Sequence, residues 1–235
     1  MYKTNNSHKK DKAVVGGEVK LIVLFRNWAH QGFFYLDKTE MFWRVVWELI
    51  PFSFFFYLFS KHICSLWFNL MLSLFVTHTI NWVLNDNFWT CIQFTFPNRL
   101  NPGNNKTKKH LMGMQSRMQK YESIGGCMIY GSLSRGVWQD KSDLDVRVLR
   151  RKGVVNGLLA YLAVWRERLI ALLKCQPLDI YLADEIDFLK RMRKDEYPIF
   201  LKANDDRLKL LYGEIMSEAD LSVIMDINEL ANTVF

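Results

Sequence analysis

The sequence predicts an α/β (α+β) domain, a mixed sheet with packed helices, preceded by a helical hydrophobic membrane hairpin. Three observations lead there. Most aromatic residues, 14% of the chain, sit between Phe25 and Phe96, while the charges gather outside that window. Inside it lie two apolar runs, each long enough for a spanning helix, which needs about 20 residues. After Lys106, short apolar or alternating runs are separated by stretches of helical period, the pattern of helices layered on a sheet. The expected boundaries are a basic tail and lead-in at 1–40, the hairpin at 41–96, a linker at 97–105 and a folded domain at 106–235.

Met1 to Gly17 is rich in Lys and Asn with little to bury, and is expected to be disordered. The first 20 residues lack the apolar core of a cleaved signal, so membrane attachment is expected from within the chain. The run Met41–Ser60 contains only Arg44 and Glu48 as charges, four apart and placed to pair on one helical face. A second run, Ile63–Leu84, contains no Lys, Arg, Asp or Glu. Trp43, Trp47, Trp82 and Trp89 flank the runs as interfacial aromatics do. Lys20 and Arg26 precede the pair and Arg99, Lys106, Lys108 and Lys109 follow it, which places both ends on the cytoplasmic side. Pro51 and the Lys61-His62 break keep a shallow re-entrant hairpin open as an alternative, and two core helices of a soluble domain as another.

Pro97–Asn105 is dense in Pro, Gly and Asn, hence the linker. Leu111, Met114, Met118 and Tyr121 recur at helical spacing among basic residues. Cys127–Tyr130 reads as a buried strand. Asp143–Leu149 alternates strictly, with Asp143, Asp145 and Arg147 on one face and Leu144, Val146 and Val148 on the other. Val154–Lys174 has helical period, and Leu178–Leu182 reads as a third strand in which Asp179 alternates with apolar neighbours. Asp184 is expected to cap a helix running to Arg193. Ile199–Lys202 and Arg207–Tyr212 read as closing strands joined by a turn at 203–206.

The net charge of +7 suits an anionic partner without choosing among nucleotide, nucleic acid and lipid headgroup. Cys64, Cys91, Cys127 and Cys175 lie far apart with no C-x-x-C pair, and the five histidines share no helical face, so neither a zinc site nor a disulfide framework is expected.

The chemistry concentrates in the acidic residues. Asp143 and Asp145 point the same way from one strand, roughly 6 to 7 Å apart along the backbone. Such a pair repels unless divalent cations neutralise it, and hard carboxylate oxygens select Mg²⁺ or Mn²⁺. Asp179 adds a third carboxylate from another strand. Gly131 and Ser132 stand where a strand gives way to a helical turn, so that free backbone N–H groups and a hydroxyl face an anion. Arg135 follows one turn on and adds a phosphate contact.

The segment YGSLSRGVWQDKSDLDV, Tyr130 to Val146, resembles the signature of the polymerase-β-like nucleotidyltransferase superfamily: Gly-Ser, ten residues (Leu133 to Ser142), then Asp-x-Asp. The Arg135-Gly136 pair, Ser142 before Asp143, and the late segment Phe200–Gly213 look like the family's minimal members. Four fixed residues coincide by chance on the order of once in 10⁵ positions. The resemblance covers about half of the chain, roughly Lys106 to Gly213, and leaves the apolar half unexplained.

That resemblance implies a magnesium-dependent nucleotidyltransferase domain that passes an NMP from an NTP, ATP by the family's pattern, to an acceptor. Asp143 and Asp145 would hold both metals, Asp179 the metal beside the acceptor, and Gly131, Ser132 and Arg135 the triphosphate. The apolar half points to a membrane-resident acceptor, a lipid or lipid-linked glycan. The alternatives are a protein adenylyltransferase of the antitoxin type, whose acceptor is a partner protein, and an inactive nucleotide-sensing membrane protein. No dedicated base-reading motif appears, so the choice of ATP rests on the family alone; nucleic acid is not expected as a partner.

Overall fold

A computed structural model describes residues 17–63, 65–85, 87–89, 92, 103–138, 142–193 and 196–213. The basic tail and most of the expected linker, like Cys64 and Cys91, fall outside the described residues. The elements are α1 (Gly17–His30), a 3-10 turn (Phe33–Tyr35), α2 (Lys38–Ser60), α3 (Leu66–Leu84), α4 (Asn104–Lys120), β1 (Ile124–Tyr130), β2 (Leu144–Arg150), α5 (Val154–Leu173), β3 (Leu178–Ala183), α6 (Ile186–Leu189), β4 (Ile199–Ala203) and α7 (Asp206–Tyr212). This is a mixed α+β architecture.

The four strands run in the order β3-β2-β1-β4. β1 pairs antiparallel with both neighbours, whereas β2 and β3 are parallel and are joined by the crossover helix α5. Every residue of β1 is buried, as suits a strand covered on both faces. On one face, Cys127, Ile129, Val146, Val148 and Ile180 meet Leu111, Met114 and Met118 of α4 and Tyr161 and Val164 of α5. On the other, Met128, Tyr130, Leu149 and Phe200 meet Phe188 of α6 and Leu208 of α7. A Cβ on Gly125 would come within 2.4 Å of the Asp205 carboxylate, so the close approach of the chain leading into α7 needs glycine there.

Two local expectations are corrected. Arg207–Tyr212 is a helix, not a closing strand: Asp205 accepts a hydrogen bond from the Arg207 N–H at 3.0 Å, and Leu208, Leu211 and Tyr212 reach the second core at helical spacing. Asp184 does not cap α6. Its Oδ2 accepts from the Thr39 N–H at 3.0 Å and its Oδ1 from Arg150 Nε at 2.5 Å, while the Asp184 N–H donates to Asp37, the N-cap of α2. Asp37 thus caps the amide of Asp184, 147 residues away, while Asp184 caps the Thr39 amide in the first turn of α2.

The apolar half is built inside out. The buried residues of α3 are Asn69, Ser73, Thr77 and Asn81, one polar stripe at four-residue spacing, while Leu66, Trp67, Phe68, Met71, Leu74 and Phe75 lie exposed. In α2 the buried residues are Glu40 and Arg44, and Phe42, Leu49, Ile50, Phe54 and Tyr57 face outward. Across the α2–α3 contact Asn69 Nδ2 donates to the Phe56 carbonyl at 3.2 Å, and the Glu48 carboxylate bonds to His78 at 2.7 Å and to Asn81 at 3.3 Å. The expected Arg44–Glu48 pair therefore does not form. Arg44 turns the other way to Glu40 at 2.7 Å, because Glu40 is buried and Glu48 is drawn to α3. Nor are the flanking tryptophans free anchors: Trp47 packs on Trp165 with ring centroids 4.9 Å apart, Trp82 donates to Asn27 at 2.7 Å, Trp43 packs on the first core and Trp89 is buried. Among the described residues one helix, α2, is long and apolar enough to cross a membrane.

Glu40 joins this half to the sheet. It is 0% exposed; its Oε1 accepts from Arg44 at 2.7 Å and from Arg168 of α5 at 2.5 Å, and its Oε2 accepts from the Leu182 N–H at 2.7 Å. Because β3 is an edge strand, the Leu182 amide has no neighbouring strand on that side, and Glu40 supplies the missing acceptor. Removing the carboxylate leaves two buried guanidiniums facing each other. Glu40→Ala should therefore lower the unfolding free energy of the full chain by about 3 to 5 kcal/mol, far more than a surface pair. Denaturant unfolding in detergent measures it; a loss below about 1 kcal/mol would contradict the assignment.

Candidate functional site

The parallel register sets Asp145 directly beside Asp179, and the antiparallel register sets it opposite Tyr130, the last residue of β1. Asp143 immediately precedes β2. The starts of β2 and β3 and the end of β1 thus share one margin of the sheet, and the carboxylates stay partly open there, with Asp145 28% and Asp179 37% exposed at the side chain. Arg147, two residues along β2 and on the same face, lies 3.3 Å from Asp179 Oδ2 and 4.0 Å from Asp145 Oδ1. Its guanidinium also sits over the Tyr181 ring at 4.8 Å and donates to the Asp179 carbonyl at 3.0 Å. Arg147 braces the acidic pair.

One cation does not balance the cluster. Burial, and then the negative charges of Asp179 and Asp143, push the Asp145 carboxyl up to about 7 in spite of Arg147. Hard carboxylate oxygens crowded onto one margin, close enough to raise the proton affinity of Asp145, are a donor set that a divalent cation fits. Among the described residues no group of three or more His, Cys, Asp or Glu side chains is gathered tightly enough to hold a metal by itself. The fold assembles the Asp145–Asp179 pair, and Asp143 acts on it through its charge.

Gly131 follows β1 with φ +80°, and a Cβ there would stand 2.1 Å from Asp145 Oδ2. Only glycine lets the chain turn this close to the carboxylate. The turn is held by Val137 N–H donating to the Ser132 carbonyl at 2.9 Å and Ser134 Oγ donating to the Gly131 carbonyl at 3.1 Å, and it is anchored by buried Leu133 and Trp138. Ser132 is half-buried, and Arg135 keeps a third of its side chain exposed.

Sequence reasoning missed Glu196. Its Oε1 accepts from the Gly131 N–H at 2.8 Å and lies 3.5 Å from Arg135 Nε, so a carboxylate occupies two of the three groups expected to bind phosphate. Next to it, Tyr130, Met192, Tyr197, Leu211 and Tyr212 line a cavity of about 640 Å³. The Tyr197 and Tyr212 rings stand 6.0 Å apart and nearly perpendicular, and the Tyr130 and Tyr212 hydroxyls bond to each other. Glu196 and Tyr197 follow no motif, and only the folded chain brings them to Gly131.

Comparisons of the chain with protein-family models, with curated proteins and with solved structures return no match.

Because the folded carboxyl of Asp145 holds its proton to higher pH than the 3.8 of an unperturbed aspartate, the metal-free native state binds more protons than the unfolded chain between those values. Its stability therefore falls as pH rises from about 4 to about 7. Asp145→Asn should raise the melting temperature of metal-free protein at pH 8 and leave it nearly unchanged at pH 4. Magnesium should raise the melting temperature of wild type at pH 8 but not that of the variant; equal responses to magnesium would remove Asp145 from the metal site.

Proposed function

We propose that the chain is a membrane-associated nucleotidyltransferase that moves an NMP from an NTP, ATP by the family resemblance, to a hydroxyl or phosphate of a membrane-resident acceptor. The observation that carries this reading is the pairing of Asp145 with Asp179 across parallel strands, with Gly131 packed against Asp145 so closely that no side chain fits. Asp143, Asp145 and Asp179 would hold Mg²⁺ or Mn²⁺, which when bound supplies charge neutralisation for the triphosphate and a more acidic acceptor hydroxyl. The acceptor oxygen attacks the α-phosphorus, a hydroxyl acceptor losing its proton to solvent, the bond from the α-phosphorus to the oxygen bridging to the β-phosphate breaks, and pyrophosphate leaves carrying that electron pair.

The chain's own residues position the reactants, as phosphoryl-group chemistry mostly requires. The Gly131 N–H, Ser132 and Arg135 bind the phosphates once Glu196 gives up the first and last of these. Arg147 keeps the Asp145 and Asp179 carboxylates aimed at the reacting groups. The aromatic cavity beside Glu196 suits the flat face of a base.

The inside-out helices support the membrane. Helices that bury Asn, Ser and Thr and expose Leu, Phe and Trp reverse the soluble pattern and match helix packing in lipid, where polar groups join helix to helix. Basic residues outside the pair favour a cytoplasmic catalytic domain.

Incubating the full chain with membrane extract and each labelled NTP should label one extract component in wild type and none in Asp145→Ala, and the chain should sediment with membranes through a high-salt wash. Labelling that survives Asp145→Ala removes the site assignment. A labelled protein band would make a protein the acceptor, and recovery of detergent-free monodisperse chain in the cytosolic fraction would remove the membrane.

A further inference from the structure

The first turns of α2 belong to the joint with the sheet. Glu40 and Arg44 are buried there, and Trp47 packs on Trp165 of α5. Glu48 follows and bonds to His78 of α3 at 2.7 Å. Neither partner is sealed in: Glu48 keeps 24% and His78 21% of its side chain exposed, and both line a cavity of about 270 Å³ with Arg44 and Asn81. Partly exposed ionisable groups belong at the level of water, since hydrocarbon makes them costly.

Past that level both helices change character. Leu49–Ser60 and Ile63–Thr77 contain no Lys, Arg, Asp or Glu. Leu49, Phe54 and Leu58 of α2 and Phe68, Met71 and Phe75 of α3 are exposed, while Asn69, Ser73 and Thr77 are turned inward. The apolar stretch ends at Lys61 and His62, both exposed. The Lys61 ammonium lies 4.4 Å over the Tyr57 ring, and Trp67, in the first turn of α3, is 73% exposed. Basic residues beside exposed Tyr and Trp are what a bilayer interface attracts. The hairpin therefore has a polar level at each end of its apolar stretch.

Those levels are close together. From Glu48 to Lys61, the C-cap of α2, is 13 positions, about 20 Å at roughly 1.5 Å per residue. The return along α3 from Leu66 to His78 covers about 18 Å. An ordinary hydrocarbon layer is about 30 Å thick. With Glu48 and His78 at one surface, Lys61 would stop about 10 Å short of the other.

We propose that the hairpin is fitted to a thin bilayer, with a hydrocarbon layer of about 20 Å, and that the chain sorts to membranes of short-chain lipid. The proposal rests on the membrane part of the proposed function and names the lipid that part takes; it does not depend on the transfer reaction. A bilayer of short chains lets both polar levels meet water at once. A thicker one must either bury Lys61 or thin around the hairpin, and the cost of thinning grows with each ångström of mismatch.

The test dilutes the full chain from detergent into an equal mixture of preformed dimyristoleoyl- and dierucoyl-phosphatidylcholine vesicles, the second loaded with sucrose so that it can be pelleted apart. The short-chain vesicles should take up at least about tenfold more of the chain. Lys61→Leu combined with His62→Leu should cut that preference to less than about threefold without lowering the melting temperature in detergent, because both side chains are exposed. A second readout follows the tip directly. In short-chain vesicles, the part of the indole emission lost in Trp67→Phe should be quenched more by lipid brominated near the headgroup than by lipid brominated at the chain end. An equal split between the vesicles, a preference that the double variant keeps, or stronger quenching of Trp67 by chain-end bromine overturns the proposal. Recovery in neither vesicle removes membrane association itself, and the thickness preference with it. The transfer reading is decided apart from both, by whether Asp145→Ala keeps its labelling.

Discussion

Glu40 has no exposed surface, and it receives hydrogen bonds from Arg44, Arg168 and the backbone of Leu182. Desolvating three charged side chains would cost several kcal/mol per ion if any were left alone. The arrangement is tolerable because each carboxylate oxygen is used, Arg44 also donates to the Gln31 carbonyl, and Arg168 donates to Asn85 and to the carbonyl of Ile180. Apolar packing could hold two layers together in many registers. A buried carboxylate that must meet two guanidiniums and one edge-strand amide permits a single one, and the caps that Asp37 places on Asp184 and Asp184 on Thr39 reinforce it.

That register decides what stands next to the acidic margin. Arg168 of α5 bonds to the Ile180 carbonyl and Glu40 of α2 to the Leu182 amide, so the outer edge of β3, the strand that carries Asp179, is held jointly by the crossover helix and the apolar half. The ends of α1, α2 and α3 are thereby brought around Asp143 and Asp179, where a cavity of about 260 Å³ forms. In the proposed enzyme the Glu40 cluster therefore does more than stabilise. It would couple the segment proposed to meet lipid to the carboxylate proposed to serve the acceptor, with the Gly131 turn and the aromatic cavity on the proposed nucleotide side.

Periodicity made much of this legible. The strict alternation of Asp143–Leu149 put Leu144, Val146 and Val148 into the core and left the acidic residues facing out together, and the helical repeat of Val154–Lys174 matched α5. Arg207–Tyr212 reads as a strand because its first four residues alternate basic and apolar and the segment is short enough to fit either element, and the deciding feature, the Asp205 cap, is a matter of local geometry. Arg44 has a glutamate one turn away on each side, and its choice of Glu40 depends on Arg168, 128 residues away from Glu40. Glu196 at Gly131 and Trp89 in the cavity beside Asp179 are equally products of tertiary structure. One signal was present and unread: Asn69, Ser73, Thr77, Asn81 and Asn85 recur every four residues, a polar stripe that already showed which face of α3 turns inward.

The central claim is that the acidic margin passes a nucleoside monophosphate, not a phosphoryl group, to a partner in the membrane. The most direct measurement incubates the full chain in native membranes with magnesium and an NTP labelled at the α-phosphate in one reaction and at the γ-phosphate in another. The account predicts that the organic-soluble fraction takes up the α label alone and that the γ label appears in pyrophosphate in equal amount. Uptake of the γ label by the acceptor, or release of the γ label as inorganic phosphate with no α label transferred, would contradict it.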